Sequence, residues 1–101
     1  MFWVKEHATS FGELLVAGCD SDILGKSYED SEFSFKISSA FYGGKEVDEK
    51  TFLVLAKKCS ILNIIGDDIV ALAIKHKLID PKNVRKIAGV SHAQSIAISE
   101  N

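Results

Sequence analysis

The chain divides by hydrophobic periodicity into a strand-like half and a half that begins helical. Phe2 and Val4 alternate with Trp3, Lys5 and His7, the period of a half-buried strand. Leu14-Leu15-Val16-Ala17 is a continuous apolar run between Gly12 and Gly18, as expected of a strand covered on both faces near the middle of a sheet. Asp20 to Glu32 reads as irregular, and Phe33, Phe35 and Ile37 then alternate with Ser34, Lys36 and Ser38 as a third strand. Past Gly43-Gly44 the period changes. Asp48 is a good N-cap, Val47 and Phe52 are spaced as a hydrophobic staple, and Phe52, Leu55, Ala56, Cys59 and Leu62 recur at helical spacing. Gly66-Asp67-Asp68 opens a second helix, with Ile69, Leu72 and Ala73 on one side, which Asp80-Pro81 stops. Val84 to Ala88 reads as a short strand, and Ile96 with Ile98 as another, the two joined by a corner at Gly89 to Gln94.

The resulting order is βββααββ. It predicts an α+β fold: one domain spanning residues 1–101, with two helices packed on one face of a small, mostly antiparallel sheet. A length of 101 residues and 47% hydrophobic content suit a single core. No apolar run reaches the roughly 18 to 20 residues of a membrane span. The opening residues lack the features of a secretory signal, so a cytoplasmic location is expected. Cys19 and Cys59 fall in apolar runs and read as small hydrophobes in a reduced compartment.

The net charge of -2 exerts no general pull toward nucleic acid. The charge is unevenly spread. Residues 1 to 50 carry five lysines against ten acids, whereas residues 51 to 101 carry seven basic residues against four acids. Lys57, Lys58, Lys75, Lys77, Arg85 and Lys86 in the second half are therefore candidate phosphate contacts. Arg85 and Lys86 sit on neighbouring strand positions, which places them on opposite faces.

Several chemistries are excluded by spacing. Gly25-Lys26-Ser27 lacks the upstream glycine of a phosphate-binding loop, whose position is held by Asp20. Ile64-Ile65-Gly66-Asp67-Asp68 lacks the first glycine of a helix-hairpin-helix, and its aspartates are expected to occupy the helix amides themselves. His7, His76, His92 and the two cysteines form no close ligand pairs, so no metal or other cofactor is expected. Gly89 to Gln94 remains as the functional corner. There His92 titrates near neutral pH and can both donate and accept, and Gln94 adds an amide. His92 can equally serve structure, by bonding backbone across the corner.

Leu24-Gly25-Lys26, Phe41-Tyr42-Gly43-Gly44, Asn63 with Gly66, and Gly89-Val90-Ser91-His92-Ala93-Gln94 together resemble the small archaeal proteins grouped as domain of unknown function 424. The resemblance runs over essentially the whole chain, with Ser91 standing where the family pattern has proline. It implies no established activity. It does imply that Lys26, Tyr42, Gly43, Gly44, Asn63, Gly66, His92 and Gln94 are positions to take together, and with Gly89 of the corner they are the candidate binding residues. The leading expectation is a non-catalytic module serving RNA or the translation apparatus, with no membrane partner. The alternatives are a small-substrate enzyme with His92 as acid/base, and an interaction protein assembling as a homodimer.

Overall fold

The computed structural model describes residues 1–96. In chain order the elements are β1 (Phe2–Ala8), β2 (Leu14–Asp20), β3 (Ser27–Glu29), β4 (Ser34–Lys36), α1 (Ser39–Tyr42), β5 (Lys45–Val47), α2 (Glu49–Lys58), β6 (Ile61–Ile65), α3 (Asp67–Lys75), β7 (Val84–Ile87) and β8 (Val90–Ile96). Six strands form one sheet in the order β5-β1-β2-β6-β8-β7, while β3 and β4 pair apart from it. All neighbours in the large sheet are antiparallel except β2 and β6, which run parallel. The class is α+β with a mixed sheet.

The expected order βββααββ with two helices is overturned. There are three helices among the described residues, and a strand separates the two long ones. The error lies at Cys59 and Leu62, whose spacing from Phe52 continues a helical stripe. Helix α2 ends at Lys58, and the Ser60 amide donates to the Leu14 carbonyl, which brings the chain into the sheet beside β2. Ile61 to Ile65 then forms β6, with Leu62 and Ile64 on one face and Ile65 on the other in apolar cores. A β-branched run that can be buried on both sides suits the sheet centre better than another helical turn, so tertiary pairing overrides the local period. The third expected strand survives as β4, but it pairs with β3 rather than joining the large sheet. The corner at Gly89 to Gln94 also shrinks. Ala88 and Gly89 alone make the turn, at φ of 50° and 83°, and Val90 to Gln94 lie inside β8. Positive φ at both central residues matches the hand of a two-residue hairpin to the twist of its strands. Ile98 lies outside the described residues.

The two faces of the sheet are covered differently. On one, Phe52 and Ala56 of α2 and Ile69, Val70 and Ala73 of α3 pack on Phe2, Val4, Val16, Leu62, Ile64 and Ala93. On the other, Ile23, Ile37 and Tyr42 close over Ala17, Cys19 and Ile65. Helix α1 is fastened there through its carbonyls: Lys5 Nζ donates to Ala40 at 2.8 Å, and His7 Nε2 to Phe41 at 2.8 Å. This second cover sits over β1 and β2. Toward β8 and β7 the same face leaves Gln94 and Arg85 exposed and His92 half-buried.

Candidate ligand-binding groove

Alternation along the strands decides which polar side chains meet. Asn63 on β6 lies opposite Gln94 on β8, and His92 on β8 lies between Ile65 on β6 and Arg85 on β7. Asn63, His92, Gln94 and Arg85 therefore share the face away from α2 and α3. Tyr42 reaches this group from α1. Its hydroxyl donates to Asn63 Oδ1 at 2.8 Å, and His92 Nε2 lies 3.2 Å from the same oxygen. A carbonyl oxygen only accepts, so His92 donates through Nε2 and its neutral form keeps Nδ1 as an acceptor. Burial, followed by the nearby Arg85 charge, holds the His92 pKa below its ordinary value. Burial, followed by Cys19, pushes the Tyr42 hydroxyl up to about 12. Both shifts favour the neutral, hydrogen-bonded pair.

His92, Gln94, Arg85, Ile87, Lys82 and Asn83 line an open groove of about 470 Å³. Asp80 accepts from the Lys82 amide at 2.9 Å and starts the short 3-10 turn Pro81–Asn83, which places Lys82 and Asn83 at the groove's edge. The lining contains no acid. Arg85 faces His92 directly across an antiparallel pair and makes no ion pair among the described residues, where the salt bridge observed is Lys86 to Asp67 at 3.3 Å. An arginine with no counter-charge in the lining, set beside a neutral imidazole, favours an anion in the groove.

Tyr42, Asn63, His92 and Gln94 are thus brought together. The other expected binding positions are not. Gly89 is the hairpin tip, Lys26 is exposed in the loop before β3, and Gly43 and Gly44 lie beside α1 and β1. Gly66 serves the start of α3 at a φ of 126°, where a Cβ would stand 2.5 Å from Asp20 Cγ. The six basic positions also separate. Lys57 and Lys77 line a groove of about 250 Å³ with Ser60 and Ser95, while Lys75 borders another with Glu49 and Asp68. Lys58 is exposed at the end of α2, and Lys86 faces away from Arg85.

The sequence reading missed Lys82 and Asn83, for which Asp80-Pro81 was the available signal, and it missed Asp20. The Asp20 carboxylate accepts from the amides of Asp68 at 3.0 Å and Ile69 at 2.8 Å, so a remote residue caps α3 in place of the local aspartates. Asp67 instead accepts from the Ser91 amide at 3.0 Å and ties α3 to β8. Cys19 is buried and unpaired, its thiol pushed up to about 12 chiefly by burial, which makes it a poor nucleophile. Among the described residues no cluster of three His, Cys, Asp or Glu could hold a metal ion, and no helix is long and apolar enough to cross a membrane.

Residues 8–98 match the family model described as protein of unknown function (DUF424). The chain belongs to this family. A solved structure of an uncharacterized conserved protein from Methanopyrus kandleri is similar at 22% identity and a TM-score of 0.76, over 99% of this chain and 96% of that one. At that identity the likeness concerns the fold alone. No curated protein matches the sequence.

Proposed function

We propose that the protein is a non-catalytic binding module for RNA, which it holds in the groove between β7 and β8. The observation that carries this reading is the Arg85 and His92 cross-strand pair, set with Lys82 in a lining without acids. Arg85 offers a planar fork of donors suited to phosphate, and Lys82 adds a second charge at the rim. The amides of Asn83 and Gln94 can donate to or accept from a base edge. Lys57, Lys58, Lys75, Lys77 and Lys86 lie outside this groove, so the contact is confined to about two phosphates. A single-stranded ligand then gives a slope of log affinity against log salt of about -1.4. Titrating a labelled single-stranded hexaribonucleotide into the protein across a salt series measures that slope. Absence of binding at low salt, or binding insensitive to salt, would refute the reading.

The hydrogen-bond chain from Tyr42 through Asn63 to His92 favours a second reading, in which the oriented imidazole is the acid/base of a small-substrate enzyme. The groove lining supplies neither a carboxylate nor a thiol to work beside it. Turnover lost in His92→Gln while ligand affinity is kept would establish this alternative.

A further inference from the structure

Resting on the RNA reading of this groove, the structure also suggests how the ligand's sugar is recognised. The Asn63 oxygen is used twice, by the Tyr42 hydroxyl and by His92 Nε2. Since an oxygen cannot donate, the neutral imidazole has its proton on Nε2 and a lone pair on Nδ1. His92 Nδ1 makes no hydrogen bond among the described residues. The fully buried side-chain polar atom left without a partner there is Ser21 Oγ, so Nδ1 is reached by solvent. His92 lines the groove, so this unsatisfied acceptor belongs to a side chain of a groove whose charged members, Arg85 and Lys82, can only donate.

Arg85 and Lys82 are matched by phosphate oxygens. Nδ1 is not, because an ionised phosphate has no proton to give it. It requires a donor close to the phosphate, and in RNA the 2′-hydroxyl lies beside the 3′-phosphate of the same nucleotide. The direct cross-strand opposition of Arg85 and His92 keeps the two recognising groups adjacent. The amides of Asn83 and Gln94 can also accept from a hydroxyl, but both residues are exposed, and among the described residues neither has its orientation fixed by a hydrogen bond as His92 does. We propose that His92 Nδ1 accepts a hydrogen bond from a ribose 2′-hydroxyl, so that the groove takes RNA in preference to DNA. Asn63 and Tyr42 are positioning residues, which act by fixing the imidazole tautomer. The 2′-hydroxyl is the group by which proteins distinguish the two nucleic acids at a single site.

The test compares three single-stranded hexamers of one sequence, with ribose, deoxyribose or 2′-O-methylribose, by fluorescence anisotropy at pH 8 and low salt. The expected result is binding of the ribose form roughly three- to tenfold tighter than either of the others, the worth of one hydrogen bond. The 2′-O-methyl form retains an oxygen and lacks the proton, so its loss of affinity identifies donation by the ligand. In His92→Phe the three affinities should converge. Nitrogen chemical shifts of the His92 ring in the unaltered protein provide a check independent of any variant, and they should report protonation at Nε2. A proton on Nδ1, or equal affinity for the ribose and deoxyribose forms, overturns the sugar proposal while leaving the binding groove standing. Failure of all three hexamers to bind overturns both.

Discussion

The carboxylate of Asp20 holds the amide of Ile69 at 2.8 Å across 49 positions of the chain. With the Asp68 amide it satisfies two of the orphan donors at the start of α3, and so fastens the end of β2 to the helix. Burial raises the Asp20 pKa, while the two amides lower it. A carboxyl raised on balance in the folded state contributes stability below its unfolded pKa of about 3.9, which is lost as pH rises through the folded value. At neutral pH the buried charge is therefore a cost that an uncharged acceptor avoids. Asp20→Ala should destabilise by about 1–2 kcal/mol in urea unfolding at pH 7, whereas Asp20→Asn, which keeps one acceptor, should recover at least half.

Gly66 meets the same carboxylate. Its backbone lies in the region that disfavours side chains, and a Cβ would press on Asp20 Cγ at 2.5 Å. Gly66→Ala should cost roughly 2–4 kcal/mol, combining backbone strain with displacement of the cap. The double variant with Asp20→Gly should cost less than the two single changes added together, which thermal unfolding of the four proteins would measure.

The His92 pKa is lowered in the folded state, so the sign of its linkage is opposite to that of Asp20. Its contribution is fully present above the unfolded value of about 6.5 and is lost as pH falls through the folded value. Urea midpoints of the unaltered protein should fall between pH 7.5 and 5 more steeply than those of His92→Gln. Parallel curves would show that the imidazole is indifferent to folding.

Removing the Tyr42 hydroxyl leaves Asn63 with one donor instead of two. Tyr42→Phe should cost about 1 kcal/mol in urea unfolding, since the ring keeps its packing and one hydrogen bond is lost.

Position on the sheet should separate basic residues that the sequence treats alike. Arg85→Gln should weaken binding of the ribose hexamer roughly fivefold and flatten the salt slope by about 0.7. Lys57→Ala combined with Lys58→Ala should leave both quantities unchanged, because neither side chain lines the groove. A loss of affinity in the double lysine variant would move the binding surface to the helical side.

What the sequence disclosed follows how local each cause is. Asp48 caps α2 by accepting from the Thr51 amide at 2.8 Å, three positions away, and was legible for that reason. The alternation of Phe2 and Val4 and the apolar run of β2 were legible as well. Cys59 and Leu62 misled because their spacing fits a helix until the partner strand is known, and β2 is that partner. The capping of α3 was misassigned to the local aspartates, since nothing near Gly66 points to Asp20. Among the candidate site residues, His92 and Gln94 were singled out by a short motif, and Tyr42 and Asn63 entered with the family resemblance. Their convergence depends on the register of β6 against β8 and on the docking of α1, neither of which is written in spacing.

The parallel pairing of β2 with β6 sets Leu15 beside Ile61, about 46 positions later, at the centre of the sheet. No short turn can bring such strands together, so the chain must close a long loop before the pairing returns any stabilisation. Hairpins such as β1–β2 and β7–β8 can form early, because their partners are close in sequence. Joining them through β6 is the slow event that folding must wait for, and substitutions at Ile61 to Ile65 should retard folding more than they hasten unfolding. The groove lining needs only the β7–β8 hairpin and the turn before it, but the Tyr42 hydroxyl that reaches Asn63 comes from the β1–β2 side, so the hydrogen bonds that orient His92 are complete only in the finished sheet.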